Sequence, residues 1–111
     1  MKVDKHENHI VLTDERDDIG RFASYLEHKV PASYENDHLV LDLLKYRNLT
    51  LAQLLLFLKL SSYQRGGKHS FVIVTEAIEI EDIPDELVIV PTLQEAVDII
   101  DMEEIERDLG F

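Results

Sequence analysis

Apolar and polar residues along this chain follow the period of a strand in some segments and the period of a helix in others. The apolar-rich segments "MKVD" and "HIVLT" flank the polar "KHEN", which predicts a short β-hairpin. The near-continuous apolar runs "HLVLDLL" and "SFVIV" predict interior strands, and "LVIV" predicts a further strand. We expect Leu39–Leu43 and Phe71–Val74 to be neighbours in one sheet.

Helical spacing of apolar residues marks three segments between and after these strands. In the first segment the residues at this spacing are Ile19, Phe22, Ala23 and Leu26. Thr13 or Asp14 is expected to cap this helix, and Pro31 is expected to stop it. The second helix is predicted from Leu49 to Tyr63, with a glycine of "RGGK" as a left-handed C-cap. The segment "PTLQEAVDIIDMEEIERDLGF" predicts the last helix and a tail.

Two junctions between a strand and a helix carry the same capping-box pattern, Thr50 with Gln53 and Thr92 with Glu95. Strands alternating with helices imply crossover connections and a largely parallel sheet. The predicted fold class is α/β: a single domain over residues 1–111, with a mixed four- to five-stranded sheet and helices mainly on one face. Residues 103–111 are the candidate for a partly free acidic tail.

Composition supports one soluble, folded domain. The chain has 111 residues, 45% hydrophobic and 31% charged, which suits a single core. Cysteine is absent, which excludes disulfides and thiolate chemistry and suits a reducing compartment. The N-terminal "MKVDKHENH" lacks an apolar signal segment, and the apolar-rich run Leu49–Leu60 is too short to span a bilayer, which needs about 20 apolar residues. A cytoplasmic location is therefore expected.

The net charge of -12 is concentrated in the last third of the chain. Residues 76–111 hold 13 acids and one base, whereas residues 1–75 hold 10 of each. An acidic surface repels phosphate groups, so binding to nucleic acid or to an anionic membrane is disfavoured. A basic protein partner and a solvated acidic face both remain open.

The segments "HLVLDLLKYRNLTLAQLLLFLKL", "KHSFVIV" and "LVIVPTLQEAVDII" resemble the STAS domain, the fold of bacterial anti-sigma-factor antagonists. In that family an apolar strand with an acid leads into a leucine-rich helix, then a glycine-marked turn, a second strand, and a final strand with a "t-x-x-EA" helix. Asp42 matches the strand acid, and Thr92, Glu95 and Ala96 match the start of the final helix. The resemblance implies a domain that binds other proteins.

The phosphorylation motif of the regulatory members of this family is missing. Those proteins carry "DSSG" at the start of the leucine-rich helix, where a partner kinase phosphorylates a serine, and this chain has "TLAQ" instead. Thr50 is the hydroxyl that remains, and its predicted role as a helix cap already explains it. The resemblance therefore implies the fold and a binding role without the phosphorylation switch.

The chain also resembles short bacterial proteins that carry a ribonuclease Z label. That enzyme class holds two zinc ions in a dense His/Asp cluster of the H-x-H-x-D-H kind. The histidines of this chain are His6, His9, His28, His38 and His69, and they form no such motif. "HENH" is interpreted as an exposed polar turn rather than a zinc site, because two histidines fall short of the usual three or four ligands. No metal site and no cofactor are predicted.

Other catalytic patterns are absent from the sequence. Ser61 and Ser62 lack a nucleophile elbow of the G-x-S-x-G kind, and neither a P-loop nor G-x-G-x-x-G is found. Asp42, in an apolar strand, is expected to accept hydrogen bonds from backbone amides of the following loop. We therefore predict no catalytic residues and no enzymatic activity.

The Leu49–Tyr63 helix carries more apolar residues than one buried face requires. Projected at about 100° per residue, they form two stripes on opposite sides. The expected core stripe consists of Leu51, Leu54, Leu55 and Leu58. The second stripe consists of Ala52, Leu56, Leu60 and Tyr63. It is either covered by a neighbouring helix or exposed as a surface for another protein or for a second copy of this chain.

The acidic segment "EEIERDLGF" offers a second candidate surface, in which Ile105, Leu109 and Phe111 are the apolar residues. It either docks into a basic, hydrophobic groove of a partner or is a frayed end with a few anchoring contacts. The predicted function is a non-catalytic protein-interaction module related to anti-sigma-factor antagonists. The alternative is a protein associated with ribonuclease Z, either accessory to that tRNA-processing nuclease or sharing its label.

Overall fold

The computed structural model describes residues 1–78 and 83–110, which form one sheet and the helices packed on it. The strands are β1 (Lys2–Lys5), β2 (Ile10–Thr13), β3 (Leu39–Asp42), β4 (Phe71–Val74) and β5 (Val88–Val90). The helices are α1 (Ile19–Ser33), α2 (Leu51–Leu55), α3 (Leu58–Gly66) and α4 (Leu93–Asp108). The segment "TEAIEIEDIPDE" between β4 and β5 predicts a loop, and residues 79–82 of it lie outside the described residues.

The strands lie in the sheet in the same order as in the chain, from β1 to β5. β1 and β2 are antiparallel, which confirms the predicted hairpin, and the other neighbouring pairs are parallel. Leu39 lies opposite Phe71, and Asp42 lies opposite Val74, so the predicted pairing of the two interior strands is also confirmed. The fold is α/β with a mixed five-stranded sheet, as predicted.

Alternate residues of the interior strands point to opposite faces of the sheet. On one face, Leu39 and Leu41 belong to a large apolar cluster with residues of α1, α2 and α3. On the other face, Val40 packs in a smaller cluster with Ala96 and Ile100 of α4. Right-handed crossovers in a sheet whose strand order never reverses place their helices on the same face. α4 follows the last strand and covers the opposite face, so the helices lie mainly on one face, as predicted.

The start and end of α1 differ from the sequence prediction. The N-cap is Asp18, whose Oδ1 accepts a hydrogen bond from the Arg21 amide at 3.0 Å, so the expected caps Thr13 and Asp14 are wrong. Pro31 was predicted to stop the helix, yet α1 continues to Ser33. A proline in the last turn removes only one hydrogen bond of the helix, and the fully buried Val30 beside it anchors this turn in the core.

The predicted Leu49–Tyr63 helix is two helices, α2 and α3, joined by a tight turn at Leu56 and Phe57. The Leu56 amide donates to the Gln53 carbonyl, and the Phe57 amide donates to the Leu54 carbonyl, both across three residues. Such bonds wind the chain at about three residues per turn. The buried apolar residues here consequently recur at a spacing of three; they are Leu54, Phe57 and Leu60.

This winding makes the two predicted stripes partly wrong. Leu60 was assigned to the second stripe, but it is 4% exposed and belongs to the core. Leu55 was assigned to the core stripe, but it is exposed, and Leu51 and Leu58 are only partly buried. The projection assumed a regular helix of 3.6 residues per turn, and the tight turn rotates α3 away from that pattern.

The end of α3 is a Schellman motif built without glycine at the left-handed position. The His69 amide donates to the Gln64 carbonyl, and the Lys68 amide donates to the Arg65 carbonyl, each at 3.0 Å. Lys68 has φ 66°, whereas Gly67 has φ -84°. The prediction that Gly66 or Gly67 supplies the left-handed C-cap is therefore wrong by one residue.

Candidate functional site

The carboxyl edge of the parallel strands carries a polar residue at or just after the end of three strands. Asp14 follows β2, Asp42 ends β3, and Thr75 follows β4. Each side chain accepts a hydrogen bond at 3.0 Å from the amide two residues further on. These are the local turns that short polar side chains favour after a strand. The prediction that Asp42 binds a backbone amide of the following loop is confirmed, and the three groups act as turn builders.

Asp14 also fixes the loop that follows β3. Its second carboxylate oxygen accepts a hydrogen bond from the Tyr46 hydroxyl, and the neighbouring Lys45 ammonium donates to the Arg16 carbonyl at 2.7 Å. Burial and the hydrogen bond to Asp14 raise the pKa of the Tyr46 hydroxyl well above its usual value. The phenol therefore stays neutral and holds two loops of the carboxyl edge together.

The amino edge of the same strands carries a polar cluster that the sequence prediction missed. His38 precedes β3, and its Nδ1 accepts a hydrogen bond from the Ser70 amide at 2.9 Å. Its Nε2 lies 3.0 Å from Glu104 Oε1 on α4. Because Nδ1 accepts a bond, the proton of the neutral ring is on Nε2, which donates to the carboxylate. Burial, followed by the charge of Arg107, lowers the pKa of this imidazole.

A second part of this cluster links α3 to α4. Arg65 donates to Glu103 Oε2 at 2.9 Å and to the Phe71 carbonyl at 3.0 Å. Arg107 donates to the Ser70 hydroxyl at 3.1 Å. Burial alone would raise the pKa of the Glu103 carboxyl, but bonds from Arg65 and Ser70 and the two positive charges outweigh it and lower the pKa. The cluster therefore fastens the second half of α4 to the sheet.

The "HENH" turn brings its two histidines together, and His9 is buried, so the interpretation of this segment as an exposed polar turn is wrong for His9. The rings of His6 and His9 stack with centroids 4.6 Å apart. His9 Nδ1 bonds to Asn8 Oδ1 at 2.7 Å, and the Asn8 amide group donates to Asp101 of α4 at 2.9 Å. Burial, followed by the charge of His6, lowers the pKa of His9. Within residues 1–78 and 83–110, no group of three or more metal-ligating side chains is arranged to hold a metal ion.

The candidate partner-binding residues on α2 and α3 are only partly brought together. Ala52 is exposed, and Leu55 and Leu56 are 38% and 43% exposed, whereas Leu60 is in the core. Tyr63 is exposed two turns further on, and its hydroxyl donates to Glu35 at 2.8 Å. We call the set Ala52, Leu55 and Leu56 the α2 patch. Leu55 was missed because regular helical projection assigned it to the core.

Thr50, the candidate phosphoacceptor, forms the predicted capping box. Its hydroxyl oxygen accepts a bond from the Gln53 amide at 3.2 Å, and Gln53 Oε1 accepts a bond from the Thr50 amide at 2.9 Å. At the second junction, the Thr92 hydroxyl accepts a bond from the Glu95 amide at 3.1 Å. Thr50 is thus engaged as a helix cap, which is the role expected from the sequence.

The acidic tail segment is helical up to Asp108, and Leu109 and Gly110 form the turn after it. α4 continues through Asp108, and Glu103 is tied to Arg65 within the amino-edge cluster. Ile105 and Leu109 are exposed on the outer side of this helix, and Phe111 lies outside the described residues. Met102 is also exposed there. The sequence signal that could have found it is the three-residue spacing from Met102 to Ile105.

A scan of the chain against protein-family models finds no match, and a search of curated proteins also finds none. Among the helices of the described residues, none combines the length and the apolar character that crossing a bilayer requires.

Proposed function

We propose that this chain is a non-catalytic protein-interaction domain, related to STAS-domain anti-sigma-factor antagonists but without their phosphoacceptor. The observation that supports this proposal is the α2 patch. Ala52 and Leu55 lie three residues apart on α2, and Leu56, the C-cap residue of that helix, follows directly, so three exposed apolar residues lie close together. Single exposed apolar residues are ordinary, but large adjacent ones on a helix mark sites of association.

The polar groups at both edges of the sheet support a non-catalytic role. Asp14, Asp42 and Thr75 build turns at the carboxyl edge, where α/β enzymes commonly bind their substrates. His38 is held between the Ser70 amide and Glu104 at the other edge. These are structural uses of groups that catalysis would need to keep available.

The proposed partner is another protein or a second copy of this chain, in the cytoplasm. The net charge of -12 disfavours nucleic acid and anionic membranes as direct partners. Thr50 takes part in a complete capping box, so binding is proposed to proceed without phosphorylation at this position.

The test removes the α2 patch without touching the core. Leu55→Ser combined with Leu56→Ser should change the free energy of unfolding by no more than about 0.5 kcal/mol per site, because both side chains are exposed. Sedimentation equilibrium should show weaker self-association, or affinity capture from an extract should recover less partner, for this variant than for the unmodified protein.

The matched control is Leu54→Ala, one residue away and fully buried, which should lower stability by about 2–5 kcal/mol. A large loss of stability in the Leu55/Leu56 variant would show that the patch is part of the core. Cleavage of a precursor tRNA with added zinc or manganese, lost in a His6→Ala and His9→Ala variant, would contradict the non-catalytic proposal and favour the nuclease-associated alternative.

A further inference from the structure

The outer side of α4 carries a continuous apolar stripe. Met102, Ile105 and Leu109 are 50%, 60% and 66% exposed. The Leu109 amide still donates to the Ile105 carbonyl, so helical geometry holds over the whole stripe. Residues spaced by three and four along a helix stand on one side of it. We call these three residues the α4 seam.

The spacing and surroundings of the α4 seam are those of a coiled-coil surface. If Met102 takes position a of a heptad, Ile105 takes d and Leu109 takes the next a. The positions e and g that border such a seam are occupied by Asp101, Glu106 and Asp108. Every border position is therefore acidic, and in coiled coils these positions select the partner by charge.

Within α4, whose residues the structure describes throughout, the exposed charges are of one sign. The exposed ionisable residues of α4 are all acids, namely Glu95, Asp98, Asp101, Glu106 and Asp108. Its single base, Arg107, is turned inward to the Ser70 hydroxyl. Acids in the last turns of a helix also oppose its dipole, which is negative at the C-terminus. A cationic partner would relieve both effects.

The inner side of α4 holds the seam in place. Ala96 and Ile100 are fully buried on the sheet. Between Met102 and Ile105 in the chain, Glu103 pairs with Arg65 and Glu104 pairs with His38. A surface fixed in this way loses little conformational freedom when it binds, which favours association.

We propose that the α4 seam binds an α-helix of another protein that presents apolar residues at its a and d positions and Lys or Arg at its e and g positions. A second copy of this chain is a poor occupant, because two seams would bring acids against acids. This interface is distinct from the α2 patch and does not depend on the function proposed for it.

Three synthetic helical peptides, each about three heptads long, test the proposal. The first has leucine at a and d with lysine at e and g, the second replaces these lysines by glutamate, and the third is a scrambled version of the first. Fluorescence anisotropy should show that the first binds at least about tenfold more tightly than either of the others. Raising sodium chloride from about 50 mM to about 500 mM should weaken this binding, because surface charges are then screened.

Variants locate the binding on the α4 seam. Ile105→Ser should weaken binding of the basic peptide by about tenfold or more, because it removes the central apolar contact of the α4 seam. Leu44→Ser, an exposed apolar residue beyond the carboxyl end of β3, is the matched control and should leave binding unchanged. Glu106→Lys combined with Asp108→Lys reverses the charge beside the seam. This variant should bind the basic peptide more weakly and the glutamate peptide more tightly. Circular dichroism should show the same helix content in all of them.

Three results would overturn the proposal. The first is equal binding of the basic and scrambled peptides, which would show that general charge attraction, and not the arrangement of apolar residues, causes the binding. The second is unchanged binding in the Ile105→Ser variant. The third is loss of binding in the Leu55→Ser and Leu56→Ser variant with the α4 seam intact, which would place the basic helix on the α2 patch and support only the function proposed for that patch.

Discussion

The two faces of the sheet are covered in different ways. On one face, α1, α2 and α3 bury a large apolar cluster in which the rings of Phe22 and Phe57 meet edge to face, with centroids 6.2 Å apart. On the other face, which we call the valine face after Val11, Val40, Val72 and Val74, α4 is the helix among the described residues that covers the sheet, and the amino-edge polar cluster fastens it. The first face depends on apolar area, whereas the second depends on a few specific polar bonds.

The difference teaches where the molecule can be perturbed without unfolding. Apolar burial is non-directional, and its stabilising effect is spread over many residues. Loss of one hydrogen bond or ion pair therefore leaves most of the stability of the first face in place. A polar network in a low dielectric is sensitive to each member and to protonation. In this cluster, Glu103 Oε1 and Arg107 Nη1 are buried without a hydrogen-bond partner among the described residues. We therefore expect the α4 face to be the weaker of the two.

The largest effect is expected from the apolar face. Phe57→Ala should lower the free energy of unfolding by about 3–5 kcal/mol, because it empties a fully buried ring site between α1 and the sheet. Urea denaturation followed by circular dichroism measures this value. Leu55→Ala, two residues earlier and exposed, is the control and should cost about 0.5 kcal/mol or less. Equal losses would contradict the assignment of the buried side of this segment.

The next effect concerns the polar fastening of α4. Arg65→Ala should cost about 1–3 kcal/mol, because it leaves the Glu103 carboxylate, which is largely buried, without its closest donor. Hydrogen exchange should show faster opening of α4 than of α1 in this variant. Arg21→Ala breaks an exposed pair with Asp18 and should change stability little. A global loss without selective opening of α4 would show that the two faces are not separable.

A smaller effect should follow from pH. The fold lowers the pKa of His38 below its ordinary value of 6.5, so the unfolded chain binds the proton more readily. Stability contributed by the neutral ring is therefore present above pH 6.5 and is lost as the pH falls through the folded pKa. Protonation at Nδ1 also removes the acceptor of the Ser70 amide, close to Glu104, Arg107 and His69.

Unfolding curves at about pH 7.5 and about pH 5.5 measure this dependence. His9, whose pKa is lowered too, contributes in the same direction. His38→Asn is the informative variant, because the Asn oxygen can accept the Ser70 amide without titrating. Its pH dependence should be smaller than that of the unmodified protein. An identical dependence in both proteins would rule out His38 as its source.

The smallest expected effect is an increase in stability. Lys68 has the left-handed backbone conformation after α3. This conformation is less favourable by about 1–2 kcal/mol for a residue with a side chain than for glycine. Lys68→Gly should therefore raise the free energy of unfolding by about 1 kcal/mol. Gly67→Ala, at a negative φ, should bring no such gain. Thermal unfolding of both variants is the measurement, and a loss of stability in Lys68→Gly would contradict the Schellman assignment.

Most of the fold could be predicted from patterns in the sequence. The hairpin and the Thr50 capping box follow from residues close together in the chain, and both are confirmed. The pairing of the two interior strands, also confirmed, follows from two apolar runs separated by one predicted helical segment. The division between α2 and α3 did not follow, because it depends on how Phe57 and Leu60 pack against the rest of the core. Tertiary burial there overrides the regular helical period.

The candidate sites were harder to predict from the sequence than the fold. Of the second predicted stripe, Leu56 and Tyr63 are exposed, one of the two alternatives left open, whereas Leu60 is buried because its position depends on the same tight turn. The polar cluster joins residues more than thirty positions apart, such as His38 with Ser70 and Arg65 with Glu103. Pairings of this kind have no local signal, and only the sheet topology brings them together.

The unbroken order of the strands bears on how the chain folds. Each strand pairs with the one before it, so the sheet can grow from β1 to β5 as the elements become available during synthesis. Such stepwise growth keeps the loops that must close short, which lowers their entropic cost. Because α4 follows all five strands in the chain, the valine face of the sheet stays open to solvent until α4 docks. Pulse-labelled hydrogen exchange during refolding should find the amides between β2 and β3 protected before those of α4. The valine face is then the surface most exposed to aggregation while the protein is still incomplete.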